Sequence, residues 1–365
     1  MKKILIFHPY LAPYRIDLYN RLSESFNVKV ILTGSEKELK TLGFDLKYVN
    51  RQANFDYKYF NSGFYLGRHL FSLVYLREIK KFKPNIVLAH ELGINTLLSI
   101  LGSFFFSYNL WVTIDDSPTM LQNIGGFRKK MLNKVVKSVD KMLVVHPVVE
   151  KILREMYGNE ISKFNYFPII QDDTKLIKKF EDASIEASDL IKEYQLESRQ
   201  VVLFVGRLES VKCPNLLLEA FKKLNEQNTV LVFIGNGSLF DLLKEDVVNS
   251  KLEERVLFRG RLTGKELYAW YKIANVFVLP SKFEPFGAVV NEALVAGCYV
   301  LVSDRVGANS LVDESNGYIF KSGDLKDLIF GLSTLLKIKK NNNMNKMNIS
   351  FNDYVKVFDN YFTRV

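Results

Sequence analysis

Two carboxylates, Glu284 and Glu292, stand among small and apolar neighbours in the stretch "SKFEPFGAVVNEALVAG", with seven residues between them. A pair of acids first suggests a general acid and a general base. The rest of the second half of the chain points elsewhere. Arg207 and Lys212 leave an apolar run on one loop, in "VGRLESVK". An arginine grips a diphosphate as a fork, and a lysine holds it as a point charge. Carboxylates do not suit phosphate; they accept hydrogen bonds from hydroxyls. A diphosphate with a sugar at one end and a ribose at the other meets both requirements. Gly287 precedes a helix expected over 288–296, whose free N–H groups also suit phosphate, and Gly297 is a natural C-cap. Gly206, Gly235, Gly237, Gly260 and Arg261 fall at the ends of other apolar runs.

The elements that would position these residues share one rhythm. In the first half, strands are expected at 3–7, 28–34, 85–90, 110–114 and 141–146. Helices are expected near 14–24, 66–82, 95–106 and 127–138. A charged stretch, 171–200, holds no strand candidate, and the interdomain connection is placed at its start. Strands then return at 201–206, 230–235, 256–260, 276–280 and 299–303, with helices at 213–225 and 238–249. Strand–helix alternation implies α/β architecture with parallel, doubly wound sheets, and two such sheets form a cleft. Ligands of open sheets bind beyond the carboxyl ends of the strands. The expected division is 1–170, 171–349, and a closing amphipathic helix over 350–365 that joins the first part. The polar, low-complexity segment 337–350 reads as a loose connection.

A chain of 365 residues favours two domains. Its two cysteines give neither a disulfide framework nor metal-ligand spacing, which suits a reducing cytoplasm. The apolar run at the start is too short for a signal peptide. The uncharged stretch 92–114 is long enough to span a bilayer, but its polar residues and glycine divide it into a buried helix and a buried strand.

Residues 201–320 resemble the donor domain of the family 4 retaining glycosyltransferases, which have the GT-B fold. The match rests on Glu284, Pro285, Phe286, Gly287 and Glu292, on Gly206, Arg207 and Lys212, and on "NGYIF" at 316–320. The resemblance implies two Rossmann-like domains facing across a cleft, the first binding the acceptor and the second a nucleotide-diphosphate sugar. It implies Glu284 on the donor sugar, the N–H groups of Phe286 and Gly287 near sugar and phosphate, and Glu292 on the ribose. Arg207 and Lys212 would neutralise the leaving diphosphate, and Arg261 would lie near the nucleobase. Gly235 belongs to the same donor set. No Asp-x-Asp pair occurs in the sequence, so neither metal nor cofactor is expected. The implied activity is a glycosyltransferase of cell-surface polysaccharide or lipopolysaccharide synthesis. A sugar-nucleotide phosphorylase or epimerase of the same fold, and a non-catalytic nucleotide-sugar sensor, are the alternatives.

The first half departs from the family pattern. Where the family carries a glycine pair after its first strand, this chain has Pro13, Tyr14 and Arg15. Arg15 either replaces backbone donors near the phosphates or simply begins a helix. Asp116 matches the family, but Asp115 stands where a histidine is usual; it either orients the acceptor or caps a helix at Ser117–Pro118. His90 matches a family histidine, and His146 is expected to cap a helix.

Residues 1–170 hold 24 Lys and Arg against 14 Asp and Glu, whereas residues 171–365 hold 26 of each. The basic excess lies in 77–83 and 127–141, and aromatics crowd 55–75. Basic residues beside aromatics suit an anionic membrane surface, which a lipid-linked acceptor would require. No nucleic-acid module appears. The expected location is cytoplasmic, peripheral on the inner face of the membrane.

Overall fold

The computed structural model describes residues 1–34, 51–60, 63–66, 69–224, 226–339 and 345–356, with backbone alone at 64–66 and 69–71. The chain divides into two compact units, Met1–Gln171 with Asn352–Val365, and Asp172–Phe351.

The strands of the first unit are β1 (Lys3–His8), β2 (Asn27–Leu32), β3 (Asp56–Tyr59), β4 (Phe64–Leu66), β5 (His69–Phe71), β6 (Ile86–His90), β7 (Asn109–Ile114), β8 (Lys141–Val144) and β9 (Phe164–Tyr166). Seven of them form a parallel sheet in the order β3-β2-β1-β6-β7-β8-β9. The central strands are apolar nearly throughout because helices cover both of their faces. The helices are α1 (Pro13–Ser25), α2 (Val74–Phe82), α3 (Ile94–Ser103), α4 (Pro118–Gln122), α5 (Gly126–Ser138) and α6 (Pro147–Met156). Proline stands at the start of α1, α4 and α6, where a missing N–H costs nothing. One continuous core joins Phe7, Tyr75, Val112, Val136 and Phe164.

Two expectations in this unit are corrected. The helix expected over 66–82 begins at Val74, because β4 and β5 pair antiparallel before it, Phe64 opposite Phe71 and Leu66 opposite His69. Gly67 and Arg68 separate the two short runs in sequence, the spacing of a hairpin rather than a helix. β3 was hidden by its alternating polar residues, as befits an edge strand, and β9 by its length of three residues. Of the aromatics of 55–75, Phe55 and Tyr75 are buried, Tyr75 packing edge-on to Phe7 at 5.0 Å, whereas Tyr57, Tyr59 and Phe60 are half-buried.

The uncharged span 92–114 is divided into α3 and β7, and no helix among the described residues is long and apolar enough to cross a membrane.

The second unit opens with α7 (Asp173–Asp182) and α8 (Ser184–Glu193). Its strands are β10 (Gln200–Val205), β11 (Thr229–Ile234), β12 (Val256–Phe258), β13 (Val276–Leu279), β14 (Tyr299–Ser303) and β15 (Gly317–Phe320). All pair in parallel, in the order β12-β11-β10-β13-β14-β15. The intervening helices are α9 (Pro214–Leu224), α10 (Phe240–Asn249), α11 (Gly264–Ile273), α12 (Val289–Val295) and α13 (Leu325–Leu336). Residues 345–350 are not a loose connection. The Lys346 N–H donates to Leu294 O at 2.9 Å, its ammonium lies 3.9 Å from the centre of the Tyr299 ring, and its carbonyl accepts from Asn316 at 3.1 Å. The expected closing helix is seen over 351–356, where Tyr354 stacks on Phe167 and donates to Pro168 O at 2.9 Å. Its remainder, 357–365, and residues 340–344 lie outside the described residues.

Candidate functional site

The strand order of the second sheet reverses between β10 and β13. The chain runs outward from β10 through β11 to β12, then returns to the other side of β10 for β13. Such a switch point is the usual ligand position in open parallel sheets. The loop after β10 carries Gly206, Arg207 and Lys212; the loop after β13 carries Glu284, Phe286 and Gly287. The two loops are joined by Lys282 N–H to Val211 O at 2.9 Å.

Lys212 and Glu284 form an ion pair across this switch point, with their side chains only 14% and 16% exposed. The sequence placed both at the donor but did not foresee that they would hold each other. Arg207 is exposed, and its guanidinium makes no hydrogen bond or ion pair among the described residues. The Glu209 pKa is lowered, first because the Ser238 hydroxyl and N–H donate to that carboxylate, with a smaller contribution from the Arg207 charge.

The glycines explain how the loops come so close. Gly235 has φ +138°, and a Cβ there would lie 1.9 Å from the carbonyl oxygen of Gly206. Only a residue without a side chain lets the turn after β11 lie on the loop after β10. Gly287, at φ +94°, would place a Cβ 3.1 Å from Glu284 Cγ, so it gives that carboxylate its room. The backbone of the Glu284 loop is fixed by Glu284 N–H to Arg305 O at 3.2 Å and by Gly307 N–H to Glu284 O at 3.0 Å. Phe286 is buried and anchors the loop.

Glu292 lies on α12, a helix of seven residues, shorter than the expected 288–296. Gly297 lies just beyond it at φ +80°. The half-buried Glu292 faces the buried Tyr271, whose hydroxyl is pushed well up, by burial first and by the Glu292 carboxylate second. Arg261 is exposed, directly after Gly260, whose carbonyl accepts from Gly235 N–H at 2.6 Å.

The first sheet has its own reversal, between β1 and β6. Here the structure gathers the remaining candidates with three residues that sequence reasoning missed. His8, at the end of β1, and His90, at the end of β6, stack with centroids 4.0 Å apart. Burial keeps both imidazoles neutral: His8 is held well below its ordinary value, and His90 is lowered to about 3, with Arg15 adding to the burial effect. His90 Nδ1 lies 2.9 Å from the Thr113 hydroxyl. Arg15, 3% exposed, donates to Asp115 at 2.8 Å, so it is engaged with a carboxylate rather than offered as a simple helix start. Asp116 is 1% exposed and accepts from Arg128 at 2.6 Å. Glu91 accepts the Asp115 N–H at 2.8 Å and lies 3.6 Å from Arg128. Its carboxyl is pushed far up, by burial first and then by Asp115 and Asp116. Glu91 also holds φ +64°, a left-handed conformation that costs energy in a residue with a side chain.

The helix cap after Asp115–Asp116 is supplied by Ser117, whose hydroxyl accepts from Met120 N–H at 3.4 Å; Asp115 does not cap it. His146 does cap, accepting from Val148 N–H at 3.0 Å. His8 and Glu91 could have been suspected from the sequence, because each stands at a strand's carboxyl end. Arg128 gave no such signal, lying inside a run of surface-like basic residues.

His90, Glu91 and Asp115 bring ligand atoms within 4.8 Å of one another, a spacing compatible with a metal ion. Two arginines already lie on this cluster, Arg15 on Asp115 and Arg128 on Asp116 and Glu91. The two guanidiniums thus offset part of the charge of the three carboxylates Asp115, Asp116 and Glu91. Unpartnered buried atoms remain at His8 Nε2, Arg15 Nε and Asp116 Oδ2. Such atoms are costly unless a ligand or water meets them.

The model of glycosyl transferases group 1 matches residues 187–350. That segment is similar to the group 1 glycosyl transferases. An uncharacterized glycosyltransferase of Methanocaldococcus jannaschii is 37% identical over 123 residues, 33% of this chain and 32% of that protein. The first curated relatives are thus matched over less than half of their own length. A longer match, 27% identical over 309 residues, covers 77% of this chain and 75% of an Escherichia coli protein named UDP-Gal:alpha-D-GlcNAc-diphosphoundecaprenol alpha-1,3-galactosyltransferase. Among solved structures, Anabaena HepE in complex with UDP superposes with a TM-score of 0.76 at 15% identity, over 100% of both chains. The fold is GT-B: α/β, with two parallel sheets and interleaved helices. The matched segment holds the donor candidates Gly206, Arg207, Lys212, Gly235, Arg261, Glu284, Phe286, Gly287 and Glu292.

Proposed function

We propose that this chain is a retaining glycosyltransferase that moves a sugar from a nucleotide-diphosphate sugar to a hydroxyl of a glycan or lipid-linked acceptor, in cell-surface polysaccharide or lipopolysaccharide synthesis. The observation that carries the reading is the Lys212–Glu284 pair at the switch point of the second sheet, beside the unengaged Arg207. A diphosphate competes with Glu284 for the Lys212 ammonium. Lys212 and Arg207 then neutralise the leaving group, and Glu284 is released to accept hydrogen bonds from the sugar hydroxyls. The N–H groups of Phe286 and Gly287 serve sugar and phosphate, Glu292 the ribose, and the Arg261 backbone the nucleobase. The bond from the anomeric carbon to the diphosphate oxygen breaks. A bond to the acceptor oxygen forms on the same face, and the acceptor proton leaves with the diphosphate. The two cations supply the charge stabilisation, so no metal is required.

On the acceptor side, Asp115, Asp116 and His90 receive hydroxyls, and Arg15 positions Asp115. The Escherichia coli relative's name includes both UDP-Gal and a diphosphoundecaprenol acceptor, and HepE was solved with UDP. These names support a nucleotide-sugar donor and a lipid-linked acceptor. Transfer assays on Glu284→Ala and Lys212→Ala test the proposal. Both variants should lose transfer while keeping a cooperative thermal transition. Full activity in both sinks the assignment.

A further inference from the structure

Helices that link neighbouring parallel strands run back against them, so their C-terminal ends lie at the edge of the sheet where the strands begin. α2 and α3 end together at that edge of the first sheet. The end of α2 is placed there by Lys3, at the start of β1, whose ammonium donates to Phe82 O at 3.2 Å. The end of α3 packs on α2: a Cβ on Gly102 would lie 3.2 Å from Leu76 and 3.3 Å from Ile79.

The residues around the end of α3 are out of keeping with a solvated edge. Phe104 is 79% exposed and Phe105 is 72% exposed, with Leu101 beside them at 45%. Phe106, the next residue, turns back against the core. At the end of the packed neighbour α2 stand the exposed Lys80 and Lys81, in its last turn, and Lys83 just beyond it. α5 packs against α3 and contributes the exposed Lys134 and Lys137 in the half that leads to the same edge. α3 carries no charge, and the only carboxylate of α2, Glu78, is buried and paired with Lys29 at 2.9 Å.

We propose that Leu101, Phe104 and Phe105, flanked by Lys80, Lys81 and Lys83, form a docking surface for an anionic lipid bilayer. Adjacent aromatic rings enter the boundary between headgroups and acyl chains, and the ammonium groups remain among the anionic headgroups. A second copy of the chain is the poorer occupant, because it would bring two sets of lysines together. The surface lies outside 55–75, the aromatic-rich stretch that the sequence singles out. It deepens the lipid-linked acceptor reading, on which it rests for its purpose but not for its test.

Flotation with vesicles tests it. The full chain should float with phosphatidylglycerol–phosphatidylcholine vesicles at low salt and stay behind with phosphatidylcholine alone. Phe104→Ser/Phe105→Ser and Lys80→Glu/Lys81→Glu should each lower partitioning about tenfold or more. Nucleotide-sugar binding, measured on the same samples, should be unchanged, since these exposed residues lie outside the donor site. A wild-type chain that does not float on anionic vesicles overturns the proposal, as do variants that float equally well. A wild-type dimer in light scattering that Phe104→Ser/Phe105→Ser converts to monomer also overturns it. Loss of nucleotide-sugar binding by the wild type would count against the proposed activity alone.

Discussion

Lys212 and Glu284 are each other's partner, although one lies after β10 and the other after β13. The pair closes the point where the sheet's strand order reverses. Removing either member leaves a largely buried charge unmatched. Lys212→Ala and Glu284→Ala should each lower stability by about 1–3 kcal/mol. The double variant should lose less than the sum, because the second truncation removes the charge left by the first. Chemical denaturation of the four proteins checks this; strict additivity would show that the pair is not coupled.

Gly235 should tolerate no side chain. Its φ is +138°, and a Cβ at this position would come within 1.9 Å of the Gly206 carbonyl oxygen, so Gly235→Ala must move backbone. A loss of about 2 kcal/mol or more is expected, together with weakened nucleotide-sugar binding, because the displaced loop carries Arg207. A thermal midpoint equal to the wild type would contradict the close packing of the two loops.

Arg15 and Asp115 should behave as a unit. Arg15 is 3% exposed, so Asp115→Asn leaves a buried guanidinium without its counter-charge. A cost of about 3 kcal/mol is expected at neutral pH, at the lower end for a broken buried pair because Asp115 is partly exposed. Urea unfolding measures it. If Asp115→Asn is as stable as the wild type, Arg15 has another partner.

Stability should fall on both sides of a weakly acidic to neutral optimum. His8 and His90 are held neutral, with folded values below the ordinary 6.5. The unfolded chain therefore takes up more protons, and stability is lost as pH falls from about 6.5 toward 3. Glu91 acts in the opposite sense. Its folded value is raised above the ordinary 4.5, so the folded chain holds the extra proton, and stability is lost as pH rises through the folded value. Glu91→Gln should therefore flatten the alkaline side of a plot of unfolding free energy against pH while leaving the acid side. An unchanged alkaline slope would remove Glu91 from this role.

Transfer should persist in a chelator. In the proposed reaction Arg207 and Lys212 provide the cationic surface for the diphosphate, and Arg15 and Arg128 already pair with carboxylates near His90. Full activity after extensive dialysis against EDTA is expected; activity restored only by a divalent ion would contradict it.

The residues gathered at the β10–β13 switch point were legible in the sequence as candidates because they fall on loops at strand ends, where apolar runs stop abruptly. β10, β11 and β13 announce themselves as buried runs, and Arg207, Lys212 and Glu284 come within a few residues of β10 and β13. Pairing across loops stayed hidden: nothing in the spacing of Lys212 and Glu284 shows that β13 returns beside β10. The first unit was harder. Asp115 and Asp116 were visible as candidates, but the arginines that engage them lie on α1 and α5, and only the sheet order brings those helices to one edge. β3, with its alternating polar residues, and the hairpin before α2 were missed because neither shows a sustained apolar run.

The central claim, a nucleotide-diphosphate sugar held at the Lys212–Glu284 pair, is tested most directly by calorimetric titration of UDP-, GDP- and ADP-sugars into the full chain. One of these donors should bind the wild type with equimolar stoichiometry, and neither Lys212→Ala nor Glu284→Ala should bind it measurably. Equal binding by the wild type and both variants, or no binding of any of the three donors by the wild type, would contradict the account.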